Sequence, residues 1–429
     1  MNDQRYQNGK QNSAPVQKRN GERKPKNSGG AVVQLSGRAL ARKRREDEWR
    51  SEEKKIERVK HGVDRPMLAI IAVILVLGTV MVFSASFPSA LIERGDSLHY
   101  LKKQLVFVAL GGAVMYLLSF VPYNIYKKLT PAIYLVAIAL LLIVLIIGTS
   151  EGVAKRWIAI GSFTFQPSEA AKVAVVMMLA WYFDKNYDKL HNNLSTKNTI
   201  VNGVVKPGVI MAIICGLVLL EKHLSGTIII ALIAVCVIFL GGVHIGWAAA
   251  IYGACGALAV GGFLALNPYA LQRILTHADE NADVLGEAWQ TTQGLYAIGS
   301  GGLLGVGLGD SRLKYNYVSE PQNDFIFTIW CEEMGFVGAI IVVLLYAAFI
   351  WRGFVIAKKA PDTYTSLVAF GITCQVGIQA FLNMMVVTDL IPNTGISLPF
   401  FSYGGTALIV LLMEMGVLLS ISRHSYQKK

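Results

Sequence analysis

The residues best suited to chemistry stand at the ends of apolar runs. Asp324 precedes Phe325 at the mouth of one such run, with Glu320 four residues earlier in the stretch SEPQNDFIF. As a helix N-cap, Asp324 would be worth about 1 kcal/mol and would be favoured by the helix dipole. As a functional group it would be a surface carboxylate able to take a proton from a hydroxyl. The local sequence leaves both readings open. A second set lies in RWIAIGSFTFQPSEAAK, which carries Arg156, Glu169 and Lys172. Glu169 and Lys172 share a helix face at i,i+3. A cation inside a membrane span costs roughly 2.5 to 3.5 kcal/mol at the centre on insertion scales, so Lys172 requires a partner or a purpose. Pairing with Glu169, with Pro167 and Ser168 starting the helix, is the structural alternative.

Between these two sets, WQTTQGLYAIGSGGLLGVGLGDSRLKYNYV holds Gly302, Gly305 and Gly307 in the order GxxGxG. This reverses the dinucleotide-binding fingerprint, has no βαβ unit around it and is flanked by apolar runs, so a nucleotide site is rejected. Such glycines let a re-entrant or surface-hugging backbone approach its neighbours closely. Glu332, Glu333, Gln375, Gln379, Asn383 and Glu414 are polar groups inside apolar runs, and NTGISLPFFSYGG reads as a re-entry broken by Pro and Gly. Together they imply an internal cavity. Singly, each is equally explained by a helix-to-helix hydrogen bond worth about 0.6 kcal/mol.

Positioning these groups is the task of membrane-spanning helices. The chain has 429 residues, of which 53% are hydrophobic and only 16% charged, a mixture that excludes an ordinary soluble protein. Crossing roughly 30 Å of hydrocarbon takes about 20 apolar helical residues. Such runs predict an all-α polytopic membrane protein with about ten helices, near 67–86, 105–121, 132–148, 168–184, 206–221, 226–242, 245–266, 325–351, 366–388 and 403–422. An even number puts both termini on one side. The positive-inside rule makes that side cytoplasmic, with Lys127, Lys128, the 185–206 loop, Arg352, Lys358 and Lys359 also there; Lys102 and Lys103 fall outside and dissent. The segments 149–167, 267–323 and 389–402 are then extracytoplasmic, 267–323 being a large loop between helices seven and eight.

The net charge of +12 belongs to one end. Residues 1–65 carry 18 Lys/Arg against 9 Asp/Glu, and the other 364 carry 22 against 19. That makes 1–65 a basic cytoplasmic tail, disordered at first with a polar helix over 41–60 near the inner leaflet, and 66–425 the transmembrane domain. Nucleic acid is not an expected partner. The five cysteines are scattered singly in apolar segments with no metal-ligand spacing, which supports neither a disulfide framework nor a zinc site.

At RWIAIGSFTFQPSEAAK, HLSGT, GLYAIGSGGLLGVGLGDSRLKY, SEPQNDFIF, EEMGFVG and PNTGISLPFFSYGG, the chain resembles the SEDS family of shape, elongation, division and sporulation proteins. The likeness runs from Met67 to Ser425 and looks closer to the FtsW and sporulation branch. Departures are Ser319 where Pro is usual, Asp389 and Asn393 in the re-entry, and HADEN after Arg273. The resemblance implies a peptidoglycan glycosyltransferase that polymerises lipid II at the outer face of the cytoplasmic membrane, at the division septum. A class B penicillin-binding transpeptidase and other division proteins are the implied partners. Asp324 falls on the essential Asp of the family, and Arg156, Glu169, Lys172, Gln290, Glu320 and Ser402 are candidate substrate-binding residues. Cations such as Arg156 and Lys172, or a divalent ion (Mg or Mn), would neutralise the pyrophosphate leaving group. A lipid II flippase and a non-catalytic division scaffold are the alternatives.

Overall fold

A computed structural model of the chain describes residues 56–57, 62–151, 154–160, 163–187, 190, 199–243, 245–278, 288–425 and 427–428. Apart from residues 56–57 and 62–65, the basic tail and its expected polar helix lie outside the described residues, as do Asp279, Glu280 and Asn281 of HADEN and much of the 185–206 loop.

Twelve helices are described, in the order α1 (Arg65–Arg94), α2 (His99–Phe120), α3 (Tyr123–Ile147), α4 (Pro167–Lys185), α5 (Lys206–Leu220), α6 (Leu224–Leu240), α7 (Ile245–Leu266), α8 (Pro268–Ala278), α9 (Trp289–Ser300), α10 (Ile326–Lys358), α11 (Thr363–Val387) and α12 (Thr406–Arg423). Eight runs are long and apolar enough to cross a membrane: α1, α2, α3, α7, α10, α11, α12 and the run Ile200–Leu220, in which a π-helical turn leads into α5. Helix α6, at 17 residues, is apolar but shorter, and α4 carries Glu169, Lys172, Asp184 and Lys185. The two short helices α8 and α9 lie within the 267–323 segment.

Burial sorts the helices into an inner and an outer set. About 61% of the best span window of α11 and 67% of that of α12 is buried, against 6% for α7. Leu258 and Leu266 on α7, and Leu117 and Ile146 on α2 and α3, stand exposed as a lipid-facing surface requires. The inner helix α11 starts with a capping box in which Asp362 accepts from the Thr365 N–H at 2.9 Å and its own N–H donates to Thr365 Oγ1 at 3.2 Å. Asp64 caps α1 through the Met67 N–H at 2.9 Å and binds Arg352 of α10 at 2.7 Å. Its N–H also reaches Ser422 at the end of α12. Strand β1 (Ile56–Glu57) pairs with Gln427–Lys428. Both ends of the transmembrane domain therefore meet on one side of the bundle.

The 149–167 segment, expected as a loop, is a three-stranded antiparallel sheet of β2 (Thr149–Glu151), β3 (Ala154–Ile160) and β4 (Phe163–Phe165), with Trp157 opposite Thr149. It holds α12 through Thr406 Oγ1, which donates to the Thr164 carbonyl.

Helix α10 is broken at Gly335, whose φ of 65° and ψ of −166° leave the helical region. The glycine loop fills the break. Phe336 N–H donates to Gly302 O at 2.9 Å, Val306 N–H to Glu332 O at 3.0 Å and Gly307 N–H to Glu333 O at 3.1 Å. A Cβ on Gly305 would lie 2.1 Å from the Glu333 carbonyl oxygen, and one on Gly335 2.3 Å from the Gly305 nitrogen, so only glycine permits this approach. Charge locks it. Lys314, 2% exposed, donates from Nζ to Gly309 O at 2.6 Å, Glu333 Oε1 at 3.0 Å and Ser84 Oγ at 3.3 Å. Ser311 and the Arg312 N–H bind Glu332 at 2.5 and 2.9 Å. Glu332 and Glu333 thus anchor a loop.

Candidate active site

The site forms where the re-entrant segment between α11 and α12 meets the chain leading into α10. Asp324 does not cap α10: the N-cap position is Phe325, with no side-chain cap bond. Its half-buried carboxyl turns instead to its own N–H and to the re-entrant segment. Gly395, at φ 66°, lets that segment come close, for a Cβ built there would stand 3.7 Å from Asp324 Oδ2. Asn383 of α11 ties both pieces together, its Nδ2 donating to Asp324 O at 2.7 Å and to Ile396 O at 2.6 Å.

Gly395 and Ile396 also wall a cavity of about 60 Å³, whose opposite side carries Glu169, Lys172, Ser168 and His223. Lys172 is 4% exposed and doubly held, by Glu169 at 2.8 Å and by Gln379 Oε1 at 2.8 Å. Gln379 in turn donates to Ser397 O at 3.1 Å. The structural pairing of Lys172 is therefore real, and it sits in the wall of the cavity next to Asp324 all the same.

Electrostatics suit a base. Burial and the neighbouring Glu320 push the Asp324 carboxyl up to about 6, against hydrogen bonding to its own N–H and the pull of Arg273. His223, fully enclosed and near Arg156 and Lys172, is pushed down to about 3 and stays neutral. Glu221 beside it is raised by burial to about 8 in spite of Arg156, and neither of its carboxyl oxygens has a hydrogen-bond partner among the described residues. It is a protonated acid at neutral pH.

The other candidates are placed less directly. Arg156 donates to the Lys222 carbonyl at 2.8 Å, where it steadies the turn that presents His223; it does not line the cavity. Gln290 ties the chain before Asp324 to the re-entrant segment, donating to Ser319 O and accepting from Asn393 Nδ2, both at 3.2 Å. Glu320 accepts from Asn323 at 2.6 Å and faces a different, larger cavity. The Ser402 hydroxyl accepts the Leu398 N–H at 2.7 Å and so shapes the re-entrant turn. Among the described residues no group of three or more His, Cys, Asp or Glu side chains is gathered as a metal site. Mg²⁺ is usually held by one or two carboxylates together with substrate phosphates, and the carboxylate lining the Lys172 cavity is Glu169.

A family model described as a cell cycle protein matches residues 65–427. The chain belongs to the FtsW, RodA and SpoVE family. Within that family it is 37% identical over 371 residues to stage V sporulation protein E of Bacillus subtilis, covering 85% of this chain and 98% of the relative. It is 35% identical to a probable peptidoglycan glycosyltransferase FtsW of a Thioalkalivibrio species, covering 86% and 92%. Among solved structures it resembles a chain of a peptidoglycan synthase complex described as coordinating polymerization and crosslinking, at 27% identity and a TM-score of 0.69 over 84% of this chain and 98% of that one. The rod shape determining protein RodA of Thermus thermophilus matches at 27% identity and 0.62, covering 85% and 98%.

Relative to the family motifs, the sequence reading passed over Gln379 and Asn383 as site residues. Their signal was present: Gln375, Gln379 and Asn383 recur every four residues and so share one helix face. Arg273 was passed over too, and its pull on Asp324 depends on the fold.

Lys172→Met is expected to lower turnover by about tenfold or more while membrane level and fold persist, because the cation lines the cavity beside Asp324. Glu169→Gln is expected to be milder. Turnover and thermal midpoints of both purified variants check this: equal loss of folded protein in the two would reduce Lys172 to half of a structural pair.

Proposed function

We propose that this chain is a peptidoglycan glycosyltransferase that polymerises lipid II into glycan strands at the outer face of the cytoplasmic membrane. One observation carries the reading: Asp324, raised to about 6, stands against Gly395, and Gly395 lines a cavity that Lys172 lines as well. Relatives named as peptidoglycan glycosyltransferases support the reaction class.

The chemistry needs one base and one source of positive charge. Asp324 takes the proton of the acceptor 4-hydroxyl as its oxygen attacks the anomeric carbon of the donor, and later releases that proton to water. The bond from that carbon to the pyrophosphate breaks, and a glycosidic bond replaces it. Pyrophosphate is a weak base, so its departure requires charge neutralisation more than protonation, which Lys172 supplies. A divalent ion, when bound, would add positive charge at the pyrophosphate, and Glu169 is the carboxylate lining that cavity that would hold it.

In this proposal both termini are cytoplasmic, the protein acts at the septum, and a class B penicillin-binding transpeptidase crosslinks the product beside other division proteins. The solved relative within a synthase complex supports such a partnership in general. Purified full-length protein given lipid II in detergent, alone and with a co-expressed class B transpeptidase, is expected to yield glycan chains. Transfer of lipid II across vesicle membranes with no product would make it a flippase. Neither outcome would leave a scaffold.

A further inference from the structure

A second, larger cavity lies on the other side of the segment that carries Asp324. It measures about 290 Å³, near the lower end of the roughly 300 to 1,000 Å³ typical of small-molecule sites. Glu320, Gln322 and Asn323 face it, whereas the carboxyl of Asp324, next in the chain, turns to Gly395, which lines the smaller cavity. The same five-residue stretch is thus a partition with a cavity on each side. Across the larger one stand Trp157 from β3, Tyr100 and Lys103 from α2, and Tyr403. Tyr403 is held there by its N–H to Gln322 O at 2.9 Å and by edge contact with Tyr100, ring centroids 5.1 Å apart.

We propose that this cavity is a subsite for the sugar rings of a β-linked, N-acetylated glycan strand. Three features select that chemistry. Aromatic rings offer flat apolar faces with polar edges, which match the C–H face of a pyranose. Gln322 is 4% exposed and its Oε1 has no hydrogen-bond partner among the described residues. A buried amide with no partner for its oxygen calls for a ligand that hydrogen-bonds to it, as the hydroxyl and acetamido groups of a sugar do. Glu320 on the same wall adds a second acceptor. Lys103, which departs from the positive-inside pattern, is then explained as a cation for the carboxylates a peptide-bearing strand carries.

The inference rests on the glycan-polymerase reading and adds a division of labour to it. Pyrophosphate is neutralised on the Lys172 side, sugar rings are held on the Trp157 side, and the base stands on the wall between them.

The test uses chitotetraose, a soluble β-1,4-linked tetramer of N-acetylglucosamine with neither lipid nor phosphate, and full-length protein in detergent. Saturation-transfer NMR is expected to show saturable binding to wild type. Gln322→Leu and Trp157→Ala are each expected to weaken it by about tenfold, the size of one net hydrogen bond or more. Gln322→Leu removes an unpaired buried acceptor, so its thermal midpoint is expected to hold or rise; Trp157→Ala probes the opposite wall if it does not. Lys172→Met and Asp324→Asn are expected to bind chitotetraose as wild type does. No saturable binding overturns the proposal, as does binding that survives both cavity variants or disappears in Lys172→Met. Binding of lipid II without binding of chitotetraose also overturns it, because recognition would then reside in the lipid-linked end. None of these readouts requires turnover, so failure here is separable from failure of the polymerase reading.

Discussion

Asp324→Asn is expected to lower glycan polymerisation by about 10²- to 10⁴-fold, the range for loss of a general base. That corresponds to roughly 3 to 5 kcal/mol of barrier. Asn keeps the shape of Asp but cannot accept the proton. The helix that follows has its N-cap at Phe325 and takes no side-chain cap bond, so no capping stability is lost. The sign of the stability change is informative as well. Folding raises the Asp324 carboxyl to about 6, so the ionised form is disfavoured in the folded state above that pH. Removing it is expected to leave the protein at least as stable at pH 7 to 8. Turnover of lipid II and thermal midpoints of the purified variant check both halves. Glu320→Gln is the companion variant: it removes a like charge that raises Asp324, so it is expected to shift the pH dependence downward and leave turnover at pH 8 within about tenfold of wild type. If Glu320→Gln is the inactive one, the roles are reversed.

Lys314→Met is expected to cause the largest loss of stability among single side-chain changes near the site. Lys314 and Glu333 are 2% and 0% exposed, and removing one partner of a buried pair costs about 3 to 5 kcal/mol because the other charge is left behind. The glycine loop that fills the break in α10 is fastened by this pair and by Ser84, so its release would loosen the chain leading to Asp324. Combining Lys314→Met with Glu333→Gln removes both charges and is expected to regain more than half of the lost stability. Denaturation midpoints of the two single variants and the double variant measure the coupling. Additive losses would show that the pair does not act as a unit.

The apolar runs were readable because each spans about 20 residues and hydropathy is a bulk property. Their ends were not. Helix α1 continues through Pro88 to Arg94, and α2 begins at His99, ahead of Lys102 and Lys103, because packing and neighbouring ion pairs such as Lys102 with Asp96 override local polarity. The sheet at 149–165 escaped because its strands are three to seven residues long and half their alternation is turn sequence. The Glu169 and Lys172 pair was legible from i,i+3 spacing. Lys314 was not: a lysine in a glycine-rich outer loop reads as solvated, and its burial depends on Glu333 and on Ser84, 230 positions away. Ser311, which an outer-loop reading would expose, is 1% exposed for the same reason. Motif position suggests substrate contact for Arg156 and Ser402, and the fold gives each a backbone carbonyl or N–H to hold.

The central claim is that a carboxylate held near neutrality by its surroundings removes the acceptor proton, and the pH dependence of kcat/KM for lipid II polymerisation tests it most directly. A base must be ionised to act, so activity is expected to rise with pH through about 6, to fall about tenfold per unit below it, and to level off above pH 7. The residual activity of Asp324→Asn is expected to lack that limb. A wild-type profile that stays flat from pH 5 to 8, or an acid limb near 6 that persists in Asp324→Asn, would contradict the account.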